Sequence, residues 1–428
     1  MPVINFPYGK EMIAYAIPDN RFKGQLVSQM HHYKAPAPQD ELVAQALENP
    51  VGTPKLSVMA EGRKKALIIA SDHTRPVPSK FIIPPMLAEI RKGNPRAEIT
   101  ILVATGVHRE TTKQELIDKF GETIVKNEHI LIHDSVASPT VNLGKLPSGG
   151  DIIINKLALE TDLLVSEGFI EPHFFAGFSG GRKSVLPGIV NRETVLYNHN
   201  AEFIASPCAR TGIVENNPIH IDTLYAARAA RLDFICNVVI NAQKEVIYAV
   251  AGDVDLAHRA GREFLAAKCQ VDAVPADIVI STNGGYPLDQ NIYQSVKGMT
   301  AAEATVNKGG VIIMLSCSND GHGGESFFNT FKQEKDLARM TETFLKTPKN
   351  KTIVDQWESQ ILARVLQRAK VIYISSLPDQ MIQEFQMIPA HSLDEAVKKA
   401  GEIVGNPQAG ITAIPDGIAV IVKSAGGF

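Results

Sequence analysis

The 428-residue sequence lacks the features of several special classes of protein. Its four cysteines (Cys208, Cys236, Cys269 and Cys317) lie far apart and form no C-x-x-C pair. This spacing argues against a zinc ribbon, an iron–sulfur site or a disulfide framework. No apolar run approaches the roughly 20 residues that span a bilayer, and the N-terminus lacks the basic and apolar regions of a signal peptide. These absences predict a cytoplasmic protein that does not bind a membrane.

The sequence also lacks an excess of charge of either sign. Its 43 Lys and Arg residues against 46 Asp and Glu residues leave a formal net charge of −3. Such a balance provides no basic surface for nucleic acid, so no nucleic-acid partner is expected. Aromatic residues are scarce at 6%, and Trp357 is the single tryptophan.

What the sequence does contain is a regular alternation of short β-branched runs and amphipathic helical stretches. This pattern is typical of α/β domains with mostly parallel sheets. A change near residue 270 predicts two such domains, residues 1–270 and residues 271–428, with an active-site cleft between them. The predicted strands are 65–71, 99–105, 128–134, 161–167, 277–282, 310–316, 370–376 and 417–423.

Polar clusters follow several of these predicted strands. Asp72, His73, Thr74 and Arg75 come directly after the strand at 65–71, and His108 comes shortly after the next one. Ligands of open α/β sheets bind outside the carboxyl ends of the strands. We therefore expect these side chains to line one cleft.

The most informative segment is EPHFFAGFSGGRKS at residues 171–184. It places His173 and Lys183 around a glycine-rich stretch, whose backbone N–H groups can approach an anion closely. A lysine there can serve as a point charge or as an amine nucleophile. The segment is not a Walker A loop, because Arg182 stands where that motif needs its second glycine. Taken alone, it fits a surface turn as well as it fits an anion site.

Histidines supply the candidate acid–base and metal-binding groups. His108 and His173 follow predicted strands, and two histidines on opposite faces of a substrate could act on either stereoisomer. His199, in a polar stretch, could bind a metal through one imidazole nitrogen. His133 pairs with His129 at a spacing that on a strand means one face of a half-buried element, which disfavours a metal site there.

In combination, four segments resemble lactate racemase and its relatives, the enzymes that use a nickel-pincer nucleotide. The segments are SDHTRP (71–76), TGVHRE (105–110), GFIEPHFFAGFSGGRKSVLPGI (168–189) and NHN (198–200). YPLDQNIYQSVKGM (286–299) and Trp357 also fall where that family places substrate-contacting groups. The resemblance therefore covers most of the chain.

The resemblance implies a cofactor and a role for each matching residue. Lys183 would hold the nickel-pincer nucleotide, a pyridinium-derived mononucleotide, covalently through a thioamide. His199 would complete a nickel site whose other ligands come from the cofactor. The other implied roles are cofactor contact for Asp72, His73, Thr74 and Arg75, paired acid–base catalysis for His108 and His173, and substrate binding for Arg75, Tyr293, Gln294, Lys297 and Trp357.

The implied activity is racemisation of a 2-hydroxy acid, most simply lactate, and the expected partners are that small substrate and the cofactor-maturation enzymes. The α-proton of lactate is too weakly acidic for a histidine to remove. A ketone route avoids this barrier, with a histidine taking the hydroxyl proton and the cofactor taking the α-hydrogen as hydride. Two alternatives stay open: the same chemistry on malate, a longer aliphatic or aromatic hydroxy acid or a sugar acid, and a non-catalytic phosphate- or nucleotide-binding protein.

Overall fold

The computed structural model describes residues 1–423, apart from the side chains of residues 31 and 32. Within that range the chain forms a mixed α/β fold around two six-stranded sheets. The predicted fold class, α/β with mostly parallel sheets, is therefore confirmed. The last residues of the predicted second domain, 424–428, lie outside the described residues.

Strands and helices are numbered in chain order. The strands are β1 (Val3–Tyr8), β2 (Glu11–Ala16), β3 (Phe22–Gln25), β4 (Lys65–Ser71), β5 (Glu98–Ala104), β6 (His129–Ile132), β7 (Thr140–Lys145), β8 (Asp151–Asn155), β9 (Leu163–Phe169), β10 (Pro172–His173), β11 (Gly177–Phe178), β12 (Phe234–Ile240), β13 (Val246–Gly252), β14 (Gln270–Asp272), β15 (Ala276–Thr282), β16 (Val306–Leu315), β17 (Lys370–Ile374), β18 (Ile388–Ala390), β19 (Ile411–Ile414) and β20 (Ile421–Lys423). The helices are α1 (Gln39–Glu48), α2 (Leu56–Ala60), α3 (Ser79–Gly93), α4 (Lys113–Phe120), α5 (Glu122–Asn127), α6 (Arg192–Asn198), α7 (Ala201–Ala205), α8 (Pro218–Ala229), α9 (Leu256–Cys269), α10 (Ile292–Glu303), α11 (Glu325–Gln333), α12 (Leu337–Lys346), α13 (Gln356–Arg368), α14 (Asp379–Glu384) and α15 (Leu393–Val404).

The first sheet has the strand order β13-β12-β9-β4-β5-β6. All its pairs are parallel except β12 with β13, which are antiparallel. β4 reads KALIIAS and is buried along most of its length, as a parallel strand covered on both faces should be. Helices α1 and α3 cover one face of this sheet, and α8 and α9 cover the other.

The second sheet has the strand order β18-β17-β16-β15-β19-β3, and all its pairs are parallel. Its edge strand β3 comes from the start of the chain, where Arg21 also donates from Nε to the Ala409 carbonyl at 3.0 Å. The β1–β2 hairpin packs on the same sheet through Ile4, Phe6 and Ile17. The predicted grouping of residues 1–270 therefore does not follow the sheets, because the first 25 residues pack with the second one.

Contact between the two sheets is made by one hydrophobic cluster. Phe174, Phe175 and Phe203 from the first half of the chain pack with Val296 of α10 and Trp357 of α13. The strand predicted at 417–423 is short in the structure, and β20 pairs with β14 away from both large sheets. This arrangement brings the loops of the first sheet against helices of the second.

No helix in the described part of the chain is long and apolar enough to cross a membrane.

Candidate active site

The predicted site residues converge where the two sheets meet. Asp72 and His108 lie in the loops after β4 and β5, and the segment from Glu171 to Lys183 follows β9. These strands are neighbours in the first sheet and run parallel, so their carboxyl ends share one edge. His199 follows α6. Helices α10 and α13, which pack on the second sheet, bring the predicted substrate-binding residues Tyr293, Gln294, Lys297 and Trp357 to the same place.

Asp72 and His108 form a hydrogen-bonded pair. Asp72 Oδ2 lies 2.7 Å from His108 Nδ1, and Asp72 Oδ1 accepts from the Thr74 hydroxyl at 2.6 Å. Burial of the carboxyl group tends to raise the pKa of Asp72, but the hydrogen bonds from His108 and Thr74 outweigh it and lower the pKa to about 2. The carboxylate therefore stays charged, and it fixes the imidazole with Nε2 free. The His108 side chain is 40% exposed, so a substrate can reach it.

Lys183 and His173 form a second pair. Lys183 Nζ lies 3.0 Å from His173 Nε2, and His173 Nδ1 accepts from the Ala176 N–H at 3.3 Å. Burial, followed by the nearby charges of Arg182, Arg75 and Lys297, lowers the pKa of Lys183 well below its usual range. Burial and the charge of Lys183 also lower the pKa of His173. An uncharged lysine amine is a nucleophile, which an ammonium group is not.

His199 is arranged as a metal ligand would be. It caps the C-terminus of α6, where its Nδ1 donates to the Val195 carbonyl at 3.0 Å. Burial, followed by the charge of Lys183, lowers the pKa of His199 to about 3, so the ring is neutral. Fixing Nδ1 as the donor leaves the Nε2 lone pair for a ligand. The rings of Phe175 and Trp357 contact the imidazole, with centroids 5.3 Å and 5.0 Å away.

The second sheet contributes a polar group on α10 beside aromatic side chains. Lys297 Nζ donates to Gln294 Oε1 at 2.6 Å, which confirms that these two side chains, three residues apart, meet on one face of the helix. Burial, followed by the charge of Arg75, lowers the pKa of Lys297. Tyr293 accepts a hydrogen bond from Trp357 Nε1 at 3.0 Å.

Comparison with known proteins assigns the chain to a family. The sequence profile of the lactate racemase N-terminal domain matches residues 8–212, and that of the C-terminal domain matches residues 271–422. The chain belongs to the lactate racemase family. Proteins named lactate racemase from Thermoanaerobacterium thermosaccharolyticum and Lactiplantibacillus plantarum are 53% and 52% identical to it over 425 residues, covering 99% of this chain and 100% of each relative.

Solved structures agree with this assignment to the lactate racemase family. The lactate racemase apoprotein from Thermoanaerobacterium thermosaccharolyticum superposes with a TM-score of 0.95 at 52% identity, over 99% of this chain and 100% of that one. A protein from Thermotoga maritima, at 18% identity and a TM-score of 0.63 over 91% of this chain, shares the fold. The prediction of an isomerase of the racemase class is confirmed at the level of the family.

Two residues of the predicted cofactor-contact set differ in their surroundings. His73 turns toward α4, where its Nδ1 lies 3.0 Å from the Thr111 hydroxyl. Arg75 lies close to several charged groups of the site, because its charge affects the pKa values of Glu171, Lys183 and Lys297. The structure therefore brings Arg75 to the candidate active site and places His73 at its margin.

Arg182 and the glycines of the segment at residues 171–184 have a packing role that the sequence did not reveal. Arg182 is fully buried and donates to the Gly180 and Ala176 carbonyls at 3.3 Å and 3.0 Å. Gly181 has a φ of +54°, its N–H donates to Asn237 Oδ1 at 2.7 Å, and a Cβ there would lie 2.8 Å from the His258 ring. These residues hold the loop against the sheet and α9, and Lys183 alone of the adjacent cations faces the site.

Sequence reasoning missed two carboxyl groups of the site. Glu171 is the first residue of the segment at 171–184. Burial raises its pKa, although the charges of Lys297, Arg75 and Lys183 partly offset the effect. Its place after a strand was a usable signal. Glu358 lies in the first turn of α13, fully buried, and neither carboxyl oxygen has a hydrogen-bond partner in the described structure. Burial raises the pKa of Glu358 well above its usual range. In the sequence, the only indication of a role for Glu358 was its position next to Trp357.

His133, outside the site, has structural partners. His133 is buried between β6 and β8, where its Nε2 donates to the Val190 carbonyl at 2.9 Å and its Nδ1 lies 3.1 Å from Asn155 Nδ2. Among the described side chains, no group of three or more His, Cys, Asp or Glu residues could hold a metal ion.

Proposed function

We propose that this protein is a lactate racemase that interconverts D- and L-lactate with a nickel-pincer nucleotide carried on Lys183. The relatives that match its whole length bear that name. The observation that carries the proposal is the buried Lys183 amine, 3.0 Å from His173, whose pKa is lowered by burial and by the charges of Arg182, Arg75 and Lys297. A non-catalytic phosphate-binding protein would gain from a charged lysine there.

The residues present fit the cofactor. A lysine that attacks an activated acid must be an uncharged amine, and the lowered pKa of Lys183 favours that form. A neutral histidine with an oriented imidazole and a free Nε2 is the usual form of a metal ligand, and His199 has it. The described side chains include no group of three or more His, Cys, Asp or Glu residues that could hold a metal ion by themselves. A nucleotide that brings its own sulfur and carbon donors would complete such a nickel site.

When bound, this cofactor would accept the α-hydrogen of the substrate as hydride and return it to either face of the resulting ketone. The histidines would exchange the hydroxyl proton, one for each enantiomer. For His108 the exchanging atom is Nε2, because Asp72 holds Nδ1 and stabilises the imidazolium that forms. For His173 the nitrogen that faces the site is Nε2, 3.0 Å from Lys183 Nζ, while Nδ1 accepts from the Ala176 N–H.

The carboxylate of the substrate would bind among the cations of the site. Lys297 and Arg75 provide the charge, and Gln294 holds the Lys297 ammonium in place. An anion in this pocket would offset the repulsion by Arg75, which adds to burial in lowering the pKa of both Lys297 and Lys183. Binding would therefore favour the protonated form of Lys297, in which it makes a charge-assisted hydrogen bond. The four free cysteines suit a reducing compartment, so we propose a cytoplasmic location beside the enzymes that make the cofactor.

The test is the mass of Lys183 after co-expression with the cofactor-maturation enzymes. We expect the full chain to show a covalent adduct at Lys183, stoichiometric nickel and loss of optical rotation from either lactate enantiomer. Lys183→Ala and Lys183→Arg should lose all three, because neither offers an uncharged amine.

Lys332→Ala, on the exposed face of α11, is the matched control and should retain adduct, nickel and activity. Full racemisation by Lys183→Ala would overturn the tethered cofactor. An unmodified Lys183 with no turnover in the matured wild-type protein would favour a binding protein instead.

A further inference from the structure

The segment Ser71–Arg75 leaves the first sheet at a point where two strands separate. β4 and β9 are paired as far as Ile69 and Ser166, beyond which β4 continues beside β5 and β9 continues beside β12. The chain passes from β4 to β5 on one side, while β9 lies on the other side of β4. Such a switch point is where open α/β sheets bind ligands. The position of Asp72 therefore depends on how this segment is held beside the gap.

Glu167 of β9 bridges the gap at the start of the segment. Its Oε1 accepts from both the N–H and the hydroxyl of Ser71, each at 2.8 Å, and only 2% of Glu167 is exposed. The carboxyl group supplies the acceptor that a neighbouring backbone would supply if the two strands stayed paired. The residue directly before Asp72 is thus fixed to the sheet on both sides.

Lys119, in the last turn of α4, holds the other end of the segment. Its Nζ donates to the Arg75 carbonyl at 3.2 Å, and only 9% of the residue is exposed. A lysine is almost never buried to this degree without a partner, because its polar end gives up the water that it would otherwise bind. The Arg75 N–H in turn donates to the Asp72 carbonyl at 3.3 Å, which closes a turn over residues 72–75. Lys119 therefore anchors the residue that closes this turn.

The turn over residues 72–75 sets the direction of the Asp72 carboxylate. Asp72 Oδ1 accepts from the Thr74 N–H at 3.1 Å as well as from the Thr74 hydroxyl. This side of the carboxylate is thus bound to the turn, and Oδ2 is left for His108. A displacement of the turn would therefore displace the carboxylate from the imidazole.

Helix α4 connects this turn with the loop that carries His108. The start of α4 is tied to that loop, because the Arg109 guanidinium makes two hydrogen bonds with the Glu115 carboxylate, at 2.9 Å and 2.6 Å. The end of the same helix is tied to the turn through Lys119. The two partners of the Asp72–His108 hydrogen bond thus share one support.

We propose that Lys119 and Glu167 are positioning residues that hold the two ends of the segment Ser71–Arg75 and so keep Asp72 in contact with His108. The inference rests on the proposed function only for what Asp72, His108 and Arg75 do in the reaction. The order of the segment itself can be measured on the full-length chain without cofactor.

The first test releases the end of the segment that Lys119 holds. Lys119→Met removes the donor and keeps a side chain of similar length. We expect the Thr74 and Arg75 amides to exchange hydrogen with solvent at least about threefold faster in the cofactor-free protein, because the turn opens more often. Exchange in β4, β5 and β9 should stay at the rates of the wild type. Lys113→Met makes the same change at an exposed position of the same helix and should alter neither.

The second test releases the end that Glu167 holds. Glu167→Met removes the acceptor of Ser71 and should accelerate exchange of the Thr74 and Arg75 amides as Lys119→Met does. Glu167→Gln keeps an acceptor oxygen and should leave this exchange close to that of the wild type. The pair of variants separates the hydrogen bond from the mere presence of a long side chain.

In the protein matured with its cofactor, the two ends should affect different kinetic constants. Lys119→Met should raise KM for lactate at least about threefold with a smaller change in kcat, because Arg75 contributes to substrate binding. Glu167→Met should lower kcat at least about threefold with a smaller change in KM, because Asp72 supports the proton exchange of His108.

The proposal is overturned by unchanged exchange at Thr74 and Arg75 in both methionine variants, or by equal acceleration throughout the first sheet. Kinetic constants that match those of Lys113→Met in both variants would overturn the positioning role as well. A matured wild-type protein with neither an adduct on Lys183 nor turnover would overturn the proposed function and leave the exchange result standing.

Discussion

Lys183, His173 and His199 lie close together, and burial is the largest cause of the lowered pKa of each. The consequence is chemical. The lowered pKa values favour the neutral forms, with free lone pairs, of three side chains that are cationic or partly cationic in water. One lone pair suits a covalent bond, one a proton and one a metal, and the distinct hydrogen bonds of each side chain decide which. Because each group also repels the others when charged, the site favours the neutral forms jointly.

Glu358 provides a prediction about pH. Burial raises its pKa in the folded state, so the folded protein binds a proton that the unfolded chain releases as the pH rises above the ordinary glutamate value. Folding stability attributable to this group is therefore complete at low pH and falls as the pH rises toward the folded pKa. Glu358→Gln should match the wild type near pH 4 and exceed its free energy of unfolding at pH 7, by about 1.4 kcal/mol for each pH unit by which the lower of pH 7 and the folded pKa exceeds the ordinary glutamate value. Denaturant unfolding across pH measures the difference.

Glu325→Gln is the comparison for Glu358, because the Glu325 side chain is 82% exposed. Its difference from the wild type should not change with pH. If Glu358→Gln is less stable than the wild type at pH 7, the carboxyl group is charged and paired with Lys297 in the folded state.

The residues of the site were predictable from sequence to unequal degrees. Lys297 and Gln294 were, because helical spacing alone brings their side chains together. Glu358 was not, because a glutamate in a helix is usually exposed, and its burial here results from packing between α13 and α10.

At the scale of the element, the loop after β9 shows why a glycine-rich stretch is ambiguous. Its glycines suggested close approach to an anion, whereas Gly181 is required because the His258 ring and Asn237 crowd the backbone. The same permissive backbone serves both purposes. The glycines in a sequence indicate that another group approaches the backbone closely, but they do not show whether that group is an anion or a side chain of the protein.

Gly181→Ala should destabilise the loop by two separable effects. A left-handed backbone costs an alanine about 1–2 kcal/mol, and the clash with the His258 ring should add about 1–3 kcal/mol. Gly62→Ala isolates the first effect, because Gly62 has a φ of +72° and no atom within 4 Å of its built Cβ. We expect Gly181→Ala to unfold at lower denaturant than Gly62→Ala and to form less of the Lys183 adduct. Equal stability of the two variants would show that the loop yields to the new methyl group.

At the scale of the whole molecule, the sequence predicted the strands and not their partners. The strand at 65–71 agrees with β4 residue for residue, because continuous apolar runs are a local signal. β3 pairs with β19, and Phe22 lies opposite Ile411. No local pattern connects residues that far apart. The domain boundary predicted near residue 270 still marks where the second series of strands begins. Residues 1–25, however, pack with the second sheet.

Phe6→Ala tests this crossing. Phe6 is fully buried against the second sheet, so its truncation should cost about 3–5 kcal/mol. Hydrogen exchange should accelerate in β15 and β16 before it does in β4 and β5. Met12→Ala on the neighbouring strand, at a side chain that is 66% exposed, should change stability by no more than about 0.5 kcal/mol. Equal acceleration in both sheets would mean that they unfold as one unit.

The pairing of β3 with β19 also sets an order of events during synthesis. Residues 22–25 leave the ribosome early and must wait for residues 411–414 before their sheet can close. Until then β3 has a free edge, and the nascent chain needs protection from wrong pairing. Lys183 and His199 are already made by that stage, while α10 and α13 have no finished sheet to hold them. Under the proposed function, an enzyme that attached the cofactor during translation would find Lys183 accessible. Only the completed chain could then enclose the modified side chain.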